Sequence, residues 1–314
     1  MKTLLFHHGS LGDGVLIWPL LRAIGLVTWI GPTDQVQLAG RCLPNVEPRS
    51  EHHPDFDRLF VEGNPDLQDS AVSELLTTAE CVISFISNGH DTWATNLRNL
   101  APGTALHTAP TRPPDGVVAP VTDFIAAHLR DQGLVIKPID PAPRDNPDGP
   151  ILIHPGSGGP KKCWPPDSFR TLGEHLRDRG HQIIWILGPV EREQLGRAAA
   201  RDLTAGFDRI EPADLAALGE QIGSAHLVVA NDSGPAHLAA QQGVRTVCLF
   251  GPTDPSVWAP RGPQVMVIAP PRPAPMNWLR VERVLEAFEA DGRGDGGTSP
   301  APTDTIFSPN RKQT

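Results

Sequence analysis

Apolar positions in this chain fall in short runs, each closed by glycine, proline or a small polar residue. The clearest are residues 3–6, 27–30, 81–86, 151–154, 181–187, 226–230, 246–250 and 265–268. Runs of this length between turn residues predict buried strands. Between them lie stretches with helical spacing. Residues 15–24 form one, interrupted by Pro19, and residues 122–134 another. Residues 167–179 set Phe169, Leu172 and Leu176 on one side and stop at Gly180; residues 213–222, 236–240 and 276–288 complete the set. Strands alternating with helices predict parallel sheets. The pattern is weak over 107–120, and over 41–61, rich in His, Pro and Asp, it predicts no firm element.

Three turns carry candidate chemistry. Between the runs at 226–230 and 246–250 stands Asn231-Asp232-Ser233-Gly234-Pro235, which ends a strand and opens a helix. Asp232 or Ser233 is suited to cap that helix, and Pro235 fits its first turn, where no N–H is needed. A helix start beside small residues also suits an anion, because free N–H groups and about half a positive charge converge there; an ordinary capped helix is the competing reading. At the amino end, His7 to Gly14 forms a glycine-rich turn between a strand and a helix, the opening of a Rossmann-like half. It is not GxGxxG followed by a distant acid, so no nicotinamide site is expected. Asp13 in this turn is placed either to cap its helix or to act as a base toward a hydroxyl. After the run at 151–154, the loop Pro155-Gly156-Ser157-Gly158-Gly159-Pro160 leads to Lys161 and Lys162 and then Cys163-Trp164-Pro165. Small residues before a lysine suit a diphosphate, although this is no Walker A loop.

Together these stretches resemble glycosyltransferase family 9, the ADP-heptose:lipopolysaccharide heptosyltransferases. That family carries D-[ST]-G-x-x-H-L-x-A, a strand and then GPTDP; here Asp232, Ser233, Gly234, His237, Leu238, Ala240 and Gly251 to Pro255 match. It also carries a strand followed by [SL]-x-G-D and a helix with an early proline, matched by Ser10 to Asp13 and Pro19, and H-P-G-[ST]-x(3–4)-K-x-W-P, matched through Ser157, Lys162, Trp164 and Pro165. The resemblance implies the GT-B fold, two Rossmann-like α/β/α domains facing across a cleft. It implies Asp13 as catalytic base, with donor and phosphate contacts from Ser157, Gly158, Lys162, Asp232, Ser233, Gly234 and His237. It places a donor-ribose carboxylate on the segment after residue 188, where Glu191 aligns best and Glu193 is its rival; a first-turn glutamate stabilised by the helix dipole is the plainer account of either. Family members carry a basic residue where His7 stands, so an anion contact there is weakened or made pH-dependent.

The activity so implied is inverting, metal-independent transfer of a sugar, foremost heptose from ADP-L-glycero-D-manno-heptose, to a saccharide or lipid-linked saccharide acceptor of the lipopolysaccharide-core type. No cofactor is expected beyond the donor substrate. Rival readings are a GT-B enzyme using another nucleotide sugar, a nucleotide-sugar epimerase and a non-catalytic nucleotide-sugar binding protein.

Composition narrows the setting. The chain has 314 residues, enough for two domains, and its 39% apolar and 20% charged residues are ordinary for a soluble protein. The expected division is 1–140 as acceptor domain, 141–150 as a Pro/Asp-rich linker and 151–270 as donor domain. A helix over 271–289 is expected to cross back to the first domain, and 290–314 to be a disordered tail. Net charge −9 argues against nucleic acid. Without an apolar run near the ~20 residues of a membrane span, and with no signal-peptide pattern at the start, a cytoplasmic location is expected, peripheral contact with the inner membrane being left open. Cys42, Cys81, Cys163 and Cys248 have no CxxC spacing and are expected as reduced thiols. His52, His53, Asp55 and Asp57 match no metal-site spacing and read as a solvated loop.

Overall fold

A computed structural model of the chain describes residues 2–63 and 70–292, with side chains through 288, and the backbone of the pair 306–307. Apart from that pair and the helix end at Gly292, the expected tail lies outside the described residues. The chain divides into two compact units, residues 1–140 and 141–314. None of the described helices is long and apolar enough to cross a membrane.

The first unit is built on a parallel sheet of β1 (Thr3–Phe6), β2 (Val27–Gly31), β3 (Val46–Ser50), β4 (Cys81–Ser84) and β5 (Ala105–Thr108), in the order β3-β2-β1-β4-β5. β1, β2 and β4 are buried throughout, as their continuous apolar runs require of a sheet covered on both faces. The single helix expected over 15–24 is two, Leu11–Leu16 and Trp18–Ala23, meeting at Ile17. Pro19 stands in the first turn of the second, where it lacks no needed donor, so it restarts the helix. The stretch 41–61, without a firm element in the sequence, holds the end of the helix Thr33–Cys42, then β3 and the helix Pro54–Arg58. Thr122 ties the helix Val121–Asp131 to the first helix by donating its hydroxyl to the Leu16 carbonyl at 2.7 Å.

The second unit holds β6 (Ile151–His154), β7 (Ile183–Ile186), β8 (Asp208–Ile210), β9 (Leu227–Asn231), β10 (Arg245–Leu249), β11 (Val265–Ile268) and β12 (Ile306–Phe307). Their order is β12-β11-β10-β9-β6-β7-β8, parallel except where β12 runs against β11. Register decides where the chemistry sits. His154 pairs with Ala230, and Asn231 with Leu249, so β6, β9 and β10 end at one level. The loops that follow all three therefore open on one carboxyl edge, where ligands of open α/β sheets bind.

Below that edge Trp164, Phe169 and Trp185 lie in one core with Ile153, Val229 and Leu249. Trp164 meets Phe169 edge-on at 5.0 Å and donates its indole N–H to the Leu279 carbonyl at 2.9 Å. That bond fixes the loop carrying Lys162 to the chain that enters the last helix. In this helix, Val281–Gly292, Val284 and Ala287 fill the second unit's core, packed on the helix Pro166–Asp178. The linker is also held by the second unit, through the Arg144 N–H to the Gly243 carbonyl (2.8 Å), the Arg144 guanidinium to Gly223 (2.7 Å) and the Asn146 amide to Ser224 (2.6 Å). The four cysteines are free thiols, Cys81 and Cys248 buried.

Candidate functional site

The helix after β9 runs Gly234–Gln241 and begins without a side-chain cap. Ser233 stands at the N-cap position in extended backbone, yet its hydroxyl donates and accepts nothing and is buried. Asp232, the other candidate cap, is committed elsewhere. Its Oδ2 accepts from the Lys162 ammonium at 3.0 Å and the Thr253 hydroxyl at 2.9 Å, while the Nε2 edge of His237 faces Oδ1 at 3.6 Å, longer than a good hydrogen bond. The capping expected of Asp232 or Ser233 thus does not occur. The helix start keeps its positive end and a polar hydroxyl uncommitted, a combination suited to an anion.

Burial would raise the Asp232 pKa, but His237 and the Lys162 ammonium outweigh it and hold the carboxyl below its usual range. Asp232 therefore stays charged and pins Lys162, whose ammonium keeps two further N–H donors and is partly exposed. Thr253, from the turn after β10, completes this cluster. No reading of the sequence singled it out, although it belongs to the GPTDP stretch.

The loop after β6 is strapped to the same helix start. Ser157 is buried and donates its hydroxyl to the Asp232 carbonyl at 2.8 Å, so its side chain holds the loop and leaves backbone for a ligand. Gly158 is exposed, and the space a Cβ would occupy there is open. Asn231 braces the arrangement from beneath: its Oδ1 accepts the Trp164 N–H at 3.0 Å and its amide donates to the Pro155 carbonyl at 2.7 Å.

Glu191 lies behind this loop, only 4% exposed. From the third position of the helix Pro189–Leu195 its Oε2 accepts the Gly188 N–H at 2.6 Å, and Oε1 lies 3.3 Å from His154 Nε2. Burial pushes its pKa up, but His154 and the Gly188 N–H prevail and leave it lowered. Gly156 has no room for a Cβ because this carboxylate packs against its backbone. Each oxygen of the carboxylate expected to meet a ribose thus has a protein partner.

In the first unit Asp13 is the third residue of the helix Leu11–Leu16. Its Oδ2 accepts the Ser10 N–H at 3.0 Å and the Ser10 hydroxyl at 2.8 Å, a capping box, and the residue remains partly exposed with Oδ1 uncommitted. The cap and a proton-accepting role are compatible, since one oxygen serves each. His7, where family members carry a basic residue, is buried between Phe85 (4.9 Å) and Trp29 (6.0 Å). Burial lowers its pKa to about 4, against a smaller pull from Asp13, so His7 is neutral near pH 7 and offers an anion no charge.

A stability consequence follows with a definite sign. The folded-state pKa of His7 is below that of the unfolded chain, so under about pH 6.5 the unfolded state binds the proton first. Stability is lost progressively as pH falls from about 6.5 toward 4, by about 3 kcal/mol in full. In urea titrations at pH 7.5 and 4.5, His7→Met is expected to lose about 2–3 kcal/mol less than the parent chain. Equal losses in both chains would show that His7 does not titrate in this way.

A match to the model of glycosyltransferase family 9 (heptosyltransferase) spans residues 125–283, just over half of the chain. Lipopolysaccharide heptosyltransferase 1 of Pseudomonas aeruginosa is 36% identical over 113 residues, covering 35% of this chain and 31% of that protein. The chain thus matches about a third of the length of that curated relative. Among solved structures, E. coli heptosyltransferase WaaC with ADP superposes with a TM-score of 0.67 at 20% identity, covering 93% of this chain and 100% of that one. The glycosyl transferase family 9 structure from Veillonella parvula gives 0.66 at 16% identity, covering 92% and 96%. These structural likenesses reach across both units and show the α/β fold of the GT-B class. With the family match spanning the loops that carry Lys162, Asp232 and His237, the chain belongs to glycosyltransferase family 9.

Proposed function

We propose that this chain is a metal-independent, inverting glycosyltransferase whose donor is an ADP-sugar, foremost ADP-L-glycero-D-manno-heptose, and whose acceptor is a saccharide of the lipopolysaccharide-core type. The observation that carries the donor half is the uncapped start of the helix Gly234–Gln241, with the Lys162 ammonium pinned by Asp232 and Thr253 at the same carboxyl edge. Two negative charges on a diphosphate would meet a helix dipole, the Ser233 hydroxyl, the Gly158 backbone and a lysine. Transfer breaks the bond between the anomeric carbon and the diphosphate oxygen, and negative charge grows on that oxygen. Preorganised donors aimed there lower the barrier without a cation. Asp13 takes the proton of the attacking acceptor hydroxyl; attack on the face opposite the leaving diphosphate inverts the anomeric carbon. Glu191 serves by holding the 155–159 loop through Gly156 rather than by meeting the ribose.

Transfer from ADP-heptose to core-type saccharides, followed by NMR, tests the reading. A product anomer opposite to that of the donor, formed at the same rate with and without EDTA, and tighter binding of ADP than of UDP or GDP are expected. Donor converted equally well without acceptor, or a rate abolished by EDTA, would overturn it.

A further inference from the structure

The turn that carries Asp13 is gripped from the neighbouring βα unit. β1 and β2 run parallel with Phe6 level with Ile30, so the turn after β1 lies beside the start of the helix after β2, Thr33–Cys42. Gln35 stands third in that helix, where a glutamine ordinarily reaches back to the N–H of the N-cap residue. The N-cap here is Pro32, which has no N–H. Gln35 crosses to the other turn and donates its amide to the Gly9 carbonyl at 2.7 Å. Its Oε1 is buried close against Gly14 and finds no hydrogen-bond partner among the described residues. Gly9 and Gly14 bracket Asp13, and Trp29 of β2 adds a long bond from its indole N–H to the His7 carbonyl at 3.4 Å. The capping box with Ser10 fixes Asp13 within its own helix; the Gln35 bond ties the turn itself to the next unit.

We infer that Gln35 is a positioning residue for Asp13, acting through the Gly9 carbonyl. A buried amide with one half unsatisfied is a costly means of packing, since an apolar side chain of the same length would leave no polar atom of its own unpaired. What the amide supplies is one directional bond to the backbone beside Asp13. Direction matters there, because a base must stand within about 3 Å of the proton it takes, and a displacement of about 1 Å costs about a hundredfold in rate. The inference rests on the reading of Asp13 as the base; the grip of Gln35 on the turn rests on the structure alone.

Gln35→Met, similar in length and without the amide, tests it in the full chain beside Asp13→Asn. For transfer from ADP-heptose to core-type saccharides, kcat is expected to fall about 10–100-fold with KM for the donor unchanged. The urea midpoint should stay level or rise, because the unpaired Oε1 is gone and Gly9, exposed, can turn its carbonyl to water. Gln35→Glu supplies a rescue: its ionised form cannot donate to that carbonyl and its protonated form can, so its rate relative to the parent chain should climb as pH falls. The double variant Gln35→Met with Asp13→Asn should be no slower than Asp13→Asn alone. Amide hydrogen exchange over residues 9–14, read without substrate, should quicken in Gln35→Met. A kcat within twofold of the parent chain, or a loss of kcat matched by a loss of stability, would overturn the inference. Unchanged exchange would overturn it whatever Asp13→Asn does, whereas an inert Asp13→Asn with quickened exchange would overturn the base reading alone.

Discussion

Asp13→Asn is expected to lower kcat for transfer by about 10²–10⁴-fold, the usual worth of a positioned base, with KM for the donor little changed. The substitution separates two roles. Oδ2 of Asp13 closes the capping box with Ser10, and an asparagine oxygen can still accept the Ser10 N–H. The structural cost is therefore about 0.5–1 kcal/mol, that of weakening one cap, visible as a small shift in the urea midpoint. The uncommitted Oδ1 of a carboxylate takes a proton, whereas an amide does not. A loss of kcat without a matching loss of stability identifies the base. A kcat within a few-fold of the parent chain, with the same small loss of stability, would reduce Asp13 to a cap and remove it from the chemistry.

The elements that set this geometry were legible to different degrees, for physical reasons. β1, β4, β6 and β9 are continuous apolar runs because both faces of their sheets are covered, so their place in the sequence was plain. β3, Val-Glu-Pro-Arg-Ser, was not readable. It is an edge strand whose Glu47, Pro48 and Arg49 face solvent, held by backbone pairing to β2 rather than by an apolar pattern. The helix Thr33–Cys42 starts at Pro32 without a side-chain cap and so lacked its usual opening signal.

The candidate site divides the same way. Lys162, Asp232, Ser233 and His237 were named from local wording, but the bonds among them are not local. Lys162 and Asp232 meet across 70 residues and Thr253 reaches Asp232 across 21. Capping rules assign a side-chain oxygen to the nearest free N–H; here distant partners claimed Asp232 first and left the helix start open. Glu191 shows the converse. A first-turn glutamate was the plainer account, and a bond from the Gly188 N–H to that glutamate is what forms, reinforced by a His154 contact that no spacing announces. The bond from Gln35 to Gly9 joins the ends of separate βα units, so only the sheet order could reveal it.

The second large effect is expected from Lys162→Ala, which should lower kcat/KM by about 10²–10³ and weaken ADP in calorimetry. Two causes act together. The diphosphate loses a cation placed before the reaction begins, and Asp232 loses one of the two groups that keep its buried carboxyl ionised. An acid left there without the ammonium would repel the incoming phosphates. The variant Asp232→Asn on its own frees Lys162 from its tether but removes that repulsion, so it is expected to cost less than Lys162→Ala. Residues in contact do not add, and in the double variant much of the penalty of the bare carboxylate should vanish, leaving it closer to Lys162→Ala than the sum of the two losses. The pH profile supplies an independent sign. The Asp232 carboxyl is held below its usual range when folded, so the pair stabilises the chain above about pH 4 and the contribution fades as pH falls further. Without Lys162 the folded carboxyl moves back toward its unfolded value, so that acid limb should become shallower. ADP affinity and turnover both unmoved by Lys162→Ala would mean that the ammonium only buttresses Asp232, and the diphosphate would have to be sought away from this helix start.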